Sequence, residues 1–141
     1  MNKYLSLLFT LSWMGVIFYF SHQPGDESGA LSGGVLESLE AVLSINLEPY
    51  HTFIRKSAHF IVYFILGVFV VHTLFDFNVK PRQGIIIAIL FCLLYAISDE
   101  MHQTFIVNRS GEFRDVIIDT IGASVGIFIM TLINYYKPNT Y

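Results

Sequence analysis

The chain has 141 residues, a formal charge of −3, 54% hydrophobic residues and only 13% charged ones. This length suits a single domain, and so apolar a composition excludes a disordered chain and does not fit a water-solvated domain. Eight Lys and Arg against eleven Asp and Glu provide no basic surface for a nucleic-acid backbone. The single cysteine, Cys92, forms no disulfide within the chain. These features predict an integral membrane protein that does not bind nucleic acid.

Four apolar segments are long enough to cross a membrane as helices. A helix of about 20 residues, at about 1.5 Å per residue, spans the hydrocarbon core of a bilayer. The predicted spans cover residues 4–20, 57–75, 84–101 and 116–136. A signal peptide is the rival interpretation of the first span, but residues 21–24 lack a small-residue cleavage pattern. We therefore predict one domain over residues 1–141, an all-α bundle of four transmembrane helices.

The long loop between the first two spans has a helical pattern of its own. Apolar residues recur at positions 35, 36, 39, 42 and 43, and polar residues lie opposite them. This spacing predicts an amphipathic helix over about residues 34–45 in the first extracytoplasmic loop. Its polar face is acidic, so we expect it to cover the bundle as a lid or to be a plain surface helix, without attraction to anionic headgroups.

The charges bear on the orientation of the chain in the membrane. Four crossings place both termini on one side, and the Lys and Arg residues divide equally between the two sides, so the positive-inside rule does not decide. All the acidic residues except Asp76 accompany the basic residues on the side away from the termini, where they can pair with them. We therefore expect the termini in the cytoplasm and the long loop outside.

Polar residues gather at the ends of the spans that face away from the termini. Because the chain alternates in direction, these four ends lie at the same membrane face. Ionisable groups within a span are costly unless they pair or meet water, so the collection predicts a polar site at the outer interface. Its candidate residues are Arg55, Lys56, His59, Asp99, Glu100, His102, Gln103, Arg109, Asp115 and Asp119.

Helical spacing indicates which of these residues face inward. On the second span, three residues spaced four apart and beginning at Arg55 form one stripe. On the fourth span, the residues of a second stripe lie within about 40° of one another; they are Asp115, Asp119, Gly122 and Gly126. This acidic stripe continues into a Gly-x-x-x-Gly stripe, so we expect that face to pack closely inside the bundle.

The same residues resemble those of a known family. The segments FSHQPG at 20–25, RKSAHF at 55–60 and DEMHQ at 99–103, followed by Arg109, Asp115, Asp119, Gly122 and Gly126, resemble the VanZ-like family of small bacterial membrane proteins. The resemblance covers nearly the whole chain and implies a helical protein of the bacterial envelope, whose namesake is linked to reduced susceptibility to teicoplanin-type glycopeptides. The resemblance implies no established reaction. The chain departs from the family pattern at His22, at residues 107–108 and at Asp119.

One functional hypothesis is binding of an anionic lipid headgroup, such as a polyprenyl-phosphate-linked wall precursor. Arg55 and Arg109 would grip phosphate oxygens and Lys56 would add a point charge. The predicted binding set is completed by Gln103, Asp115 and Asp119. The resemblance adds to this hypothesis the expectation of a location in the bacterial cytoplasmic membrane and of an influence on glycopeptide susceptibility. Alternatively, the same charges pair only to hold the helices together.

A second hypothesis is catalysis, as a membrane phosphatase or transferase acting on a lipid-linked substrate. His59 or His102 would serve as nucleophile or general base, with Asp99 or Glu100 orienting it. We expect no cofactor; in the alternative metal version, a divalent ion would bind His59, Asp99 and His102, with Glu100 as the base. Whether the protein is an enzyme stays open at this stage.

A third hypothesis is a small transporter or a structural partner protein. Carboxylates and histidines within spans are the usual parts of proton relays. The polar residues nevertheless cluster at one face, so a single protomer offers no continuous polar path, and transport would require an oligomer.

Overall fold

The fold is built from four long helices. The computed structural model describes residues 2–24, Gly34, 50–109 and 111–136. Across these residues there are no strands, and the helices are α1 (Lys3–Ser21), α2 (His51–Asp76), α3 (Pro81–Gln103) and α4 (Phe113–Tyr136). All four are long and apolar enough to cross a membrane, which confirms the predicted four-span, all-α class. Apart from Gly34, the predicted amphipathic helix over residues 34–45 lies outside the described residues.

The helices extend beyond the predicted spans at the polar end of the bundle. Helix α2 begins at His51, whereas the apolar stretch begins near residue 57, and α4 begins at Phe113 instead of residue 116. Hydropathy detects only the apolar part of a helix, while its backbone hydrogen bonds continue through polar turns. The additional turns carry several of the charged residues, which are therefore held on helices and not on loops.

Helices α2 and α4 pack against each other more extensively than any other pair. A β-carbon added to Gly122 would collide with the carbonyl oxygen of Phe60, and one added to Gly126 would collide with that of Phe64. Small residues permit such close backbone approach between membrane helices. The Gly-x-x-x-Gly stripe therefore packs inside the bundle, as its spacing predicts.

Helix α1 contacts α2 and α3 through polar side chains. Thr10 Oγ1 lies 2.9 Å from Thr73 Oγ1 on α2. Further along, the indole Nε1 of Trp13 donates to the carbonyl oxygen of Val62 over 3.0 Å. Hydrogen bonds of this kind stabilise membrane helix pairs by about 0.6 kcal/mol on average. Helix α1 is thus attached along its length without the close glycine contacts that join α2 to α4.

The outward surfaces of the bundle are apolar. Leu8, Leu94 and Phe128, on α1, α3 and α4, are 58%, 66% and 62% exposed. Apolar surface of this extent is unusual on a soluble monomer and is the surface expected against lipid chains. The chain is therefore a multi-pass membrane protein whose polar residues are concentrated at one end.

Candidate functional site

The loop between α3 and α4 is tied to the end of α1 by an arginine. Arg109 Nη1 donates to three backbone carbonyl oxygens, those of Phe20 at 2.9 Å, Ser21 at 2.7 Å and Gln23 at 3.2 Å. The last carbonyls of a helix have no partner within the helix, and they carry the negative end of its dipole. Arg109 therefore caps α1 and brings the ends of α1, α3 and α4 together.

A tight turn holds Arg109 in this position. Asn108 adopts a φ of 57°, a left-handed conformation that asparagine tolerates better than most residues. Beyond it, the loop folds back so closely that a β-carbon on Gly111 would lie 2.6 Å from the carbonyl oxygen of Glu100. Burial lowers the pKa of Arg109, and nearby Asp99 opposes that shift. The guanidinium stays charged because its ordinary pKa is above 12.

Two basic residues on α2 pair with two acidic residues at the start of α4. Lys56 Nζ lies 2.7 Å from Asp115 Oδ1 and 3.4 Å from Glu112 Oε2. Arg55 Nη2 lies 3.3 Å from Glu112 Oε1 and 4.0 Å from Asp115 Oδ2. A carboxylate in the first turn of a helix also benefits from the helix dipole. Glu112, which the sequence analysis does not select, is therefore central to this network.

His59 of α2 faces a fully buried carboxylate on α4. Its Nδ1 lies 3.3 Å from Oδ1 of Asp119, which is 0% exposed. The sequence hypothesis gave the role of orienting this histidine to Asp99 or Glu100, whereas the carboxylate in contact is Asp119. The glycine stripe explains the contact, because it brings the Asp119 side of α4 directly against α2.

The two adjacent carboxylates of α3 have different partners. Asp99 Oδ2 accepts from Nε2 of Gln103, one turn later, over 3.3 Å. Glu100 Oε2 accepts from the backbone N–H of Glu112 over 2.9 Å. Consecutive helical residues point about 100° apart, so Asp99 faces the side of α1 while Glu100 faces the start of α4.

The second candidate histidine belongs to a different contact. His102 Nε2 lies 3.0 Å from Nδ1 of His22, and its ring stacks on Phe18 with centroids 4.9 Å apart. Both partners come from α1 and the residues just after it. The structure thus gives His102 a partner on the α1 side, whereas the partner of His59 is on α4.

A cavity of about 390 Å³ opens between α1, α2 and α3 at the polar end of the bundle. Apolar side chains of α1 and α2 form most of its wall. Its polar lining consists of Ser21, Gln23, Arg55, His59, Tyr63, Asp99, Gln103 and Arg109. The cavity therefore brings together eight polar residues, five of them candidates from the sequence.

Three residues that line the cavity carry a buried hydrogen-bond donor with no partner within the described part of the chain. The donors are the hydroxyl of Tyr63, a residue only 1% exposed, Nε of Arg55 and the hydroxyl of Ser21. Leaving a buried donor unsatisfied costs about 1–3 kcal/mol. A molecule that supplies acceptor oxygens in the cavity would remove that penalty.

Three side chains from different helices are close enough to hold a metal ion together. His59, Glu100 and Asp115 each offer one ligand atom, and these atoms lie within 4.8 Å of one another. The set differs from the alternative of the sequence analysis, which combined His59 with Asp99 and His102. Glu100 and Asp115 replace them because Asp99 faces α1 and His102 contacts His22.

Fold and site together define a small multi-pass helical membrane protein with a polar site at one end. The chain belongs to the VanZ/LLP1 family, whose family model matches residues 6–134. This match covers nearly the whole chain and confirms the resemblance seen in the sequence. Comparisons with curated proteins and with solved structures gave no match.

Proposed function

We propose that this VanZ-like protein binds the anionic headgroup of a lipid, a polyprenyl phosphate or diphosphate of cell-wall synthesis, at its polar end. The cavity carries this proposal, because it combines apolar walls with the guanidinium groups of Arg55 and Arg109. Guanidinium groups bind phosphate oxygens through paired, charge-assisted hydrogen bonds. The apolar walls would accommodate the first part of the lipid chain.

The unsatisfied donors support an acceptor-rich ligand. Arg55 is held by Glu112 through Nη2, which leaves its Nε available to the cavity together with the Tyr63 hydroxyl. Phosphate oxygens would accept from both. Asp99, also in the wall, accepts hydrogen bonds when ionised and so favours a headgroup that carries donors as well, such as the hydroxyls of a lipid-linked sugar.

The proposal predicts which lipids copurify with the protein. Mass spectrometry should detect a phosphorylated polyprenyl lipid with the wild type and at least about tenfold less with Arg55→Ala or Arg109→Ala, because a hydrogen bond to a charged group contributes about 1.5–3 kcal/mol. Arg114→Ala is the matched control, since this arginine is exposed and lies outside the cavity lining. Equal lipid in all four preparations would contradict the proposal. If an alanine variant has a lower thermal unfolding temperature than the wild type, the lipid content of Arg55→Gln is compared with that of the wild type instead.

Catalysis on the same lipid class is the second candidate, and the contact between His59 and Asp119 favours it. A histidine held by a buried carboxylate is a common general base, and arginines nearby stabilise charge on a phosphoryl group. In such a hydrolysis, water attacks phosphorus, His59 accepts its proton, and the lipid phosphate leaves. The protein would then be a membrane phosphatase.

Catalysis can be separated from binding by comparing the two candidate histidines. His59→Ala should lower the release of inorganic phosphate from a polyprenyl diphosphate by about 10²–10⁴-fold while the lipid still copurifies. His102→Ala should keep turnover, because its ring contacts His22 and Phe18 and does not line the cavity. No release by the wild type in nanodiscs would reject catalysis and leave the binding function.

We also propose that the polar end faces the outside of the bacterial cytoplasmic membrane, with the termini in the cytoplasm. The pairing of the basic residues at that end with acids supports this orientation, because only the opposite end keeps an excess of positive charge. A membrane-impermeant maleimide should label Arg114→Cys in intact cells but label Lys80→Cys only after permeabilisation. Cys92 is 0% exposed and gives no background. Labelling of Lys80→Cys in intact cells, with Arg114→Cys labelled only after permeabilisation, would contradict this orientation and place the termini outside.

Membership of the VanZ/LLP1 family supports an influence on glycopeptide susceptibility. A protein that holds a lipid-linked wall precursor changes how much of it is accessible to an antibiotic at the membrane surface. Expression of the wild type in a susceptible bacterium should raise the minimum inhibitory concentration of teicoplanin, and Arg55→Ala should not. If the wild type and Arg55→Ala raise the inhibitory concentration equally, the effect on susceptibility does not depend on the cavity.

A further inference from the structure

A buried point between three helices gathers one imidazole and two carboxylates. His59 comes from α2, Glu100 from α3 and Asp115 from α4, with one ligand atom of each within 4.8 Å of the others. Glu100 and Asp115 are 5% and 4% exposed. Ligands about 2.1 Å from a metal ion lie at most about 4.2 Å apart, so closing the set requires only small side-chain movements.

The hydrogen bonds of these carboxylates are incomplete in a way that points to a cation. Glu100 Oε2 accepts from Glu112 N–H, but within the described chain Oε1 has no hydrogen-bond partner. Both side-chain oxygens of the fully buried Asp119 are likewise without a hydrogen-bond partner there. Buried polar atoms are almost always satisfied, and an exception calls for an unseen water or ion. These three orphaned oxygens come from two helices, α3 and α4, and lie beside the same histidine.

The charge balance around this point also favours a cation. Apart from the exposed Arg114, the described charged residues at the polar end comprise five acidic and three basic ones. The acidic residues are Asp99, Glu100, Glu112, Asp115 and Asp119, and the basic residues are Arg55, Lys56 and Arg109. Four of the five carboxylates, all except Glu112, are at most 6% exposed, whereas none of the three basic residues is buried. Unpaired charge between apolar helices is strongly disfavoured, so a cation among these carboxylates is favourable.

Asp119 is placed to orient the histidine of this set. His59 Nδ1 lies 3.3 Å from Asp119 Oδ1, so the ion would bind Nε2. Histidines that bind metals typically donate their other N–H to a carboxylate, which fixes the ring and strengthens the ligand. On Asp115, Oδ1 lies 2.7 Å from Lys56 Nζ and Oδ2 lies 4.0 Å from Arg55 Nη2, so Oδ2 has the weaker contact to give up to an ion.

We propose that His59, Glu100 and Asp115 bind a divalent metal ion, with Asp119 positioning the histidine. Imidazole together with carboxylates suits Zn²⁺ or Mn²⁺. Because His59 also lines the cavity, the ion would adjoin the position proposed for the lipid phosphate. The metal site itself requires no lipid and stands independently of the proposed function.

Metal binding to the full chain in detergent tests the proposal without added lipid. After treatment with EDTA, the wild type should bind one equivalent of Zn²⁺ or Mn²⁺ in equilibrium dialysis measured by elemental mass spectrometry. Glu100→Gln, which retains an acceptor for Glu112 N–H, should bind at least about tenfold more weakly, and Asp119→Asn about 10–100-fold more weakly. Asp76→Asn, a neutralised carboxylate at the opposite end of α2, should bind as the wild type does.

Either of two results would overturn the metal site. One is a wild type that retains neither metal after dialysis, and the other is a Glu100→Gln variant that binds as tightly as Asp76→Asn. If Asp119→Asn does not fold, the metal affinity of Glu100→Gln, measured on protein whose thermal unfolding temperature is unchanged, decides whether the site exists. Arg109→Ala should keep the metal even when it loses the lipid, which distinguishes a failure of the lipid proposal from a failure of this one.

Discussion

Gly122→Ala is expected to destabilise the bundle by about 1–3 kcal/mol, the cost typical of forcing a methyl group into a filled interior. The added β-carbon would meet the carbonyl oxygen of Phe60, and backbone atoms cannot rotate away as a flexible side chain can. Helices α2 and α4 would have to separate, which would also pull Asp119 from His59. Thermal unfolding in detergent measures the loss.

Gly15→Ala is the matched control for this substitution. A β-carbon at Gly15, on the exposed side of α1, meets nothing within 4 Å. Alanine there should be neutral or should stabilise α1 by up to about 1 kcal/mol, because glycine is the poorer helix former. Equal unfolding temperatures for Gly122→Ala and Gly15→Ala would show that the α2–α4 contact is not the close interface described.

Lys56→Met is expected to cost about 1–3 kcal/mol of stability. Its ammonium group contacts Asp115, whose side chain is 6% exposed, and without it this buried carboxylate keeps only Arg55, whose Nη2 is 4.0 Å away. Chemical denaturation in detergent gives the free energy of unfolding. Arg114→Met, the loss of an exposed charge at the same end, should cost little.

A double variant isolates the interaction from the loss of the lysine itself. Lys56→Met combined with Asp115→Leu removes both charges, and such replacements of buried pairs are often neutral. The double variant should therefore recover most of the stability that Lys56→Met loses. A double variant as unstable as the sum of its single substitutions would mean that the two residues act separately.

The number of helices and the clustering of the polar residues follow from the sequence for simple physical reasons. A span needs about 20 apolar residues, and four such segments alternate in direction across the membrane. That alternation alone places Arg55 and Arg109 at the same end as the start of the glycine stripe. Side-chain periodicity then predicts that Gly122 and Gly126 face inward, which the structure confirms.

The pairing within the polar site depends on how the helices are rotated against one another, and spacing does not specify that rotation. Close packing of the stripe against the Phe60 carbonyl turns Asp119 toward His59, whereas sequence reasoning chose Asp99 or Glu100. The orientation of α3 directs His102 away toward α1. These contacts are tertiary, and no local pattern in the chain encodes them.

Loop residues were the other part that periodicity could not predict. Glu112 lies in the turn before α4 and belongs to no helical stripe, yet it contacts both Arg55 and Lys56. The cavity is also hidden from the sequence, because it depends on how α1 is placed against α2 and α3. Tyr63, the third residue of the predicted stripe on α2, lies in its wall with Arg55 and His59.

Recognition of a lipid phosphate at the cavity is tested most directly by comparing two ligands that differ only in the headgroup. The affinity of the wild-type protein in nanodiscs would be measured for a polyprenyl phosphate and for the corresponding uncharged polyprenol. We expect the phosphate to bind at least about tenfold more tightly, and Arg55→Gln to remove most of that difference. Equal affinities of the wild type for the phosphate and the alcohol would contradict the proposed function.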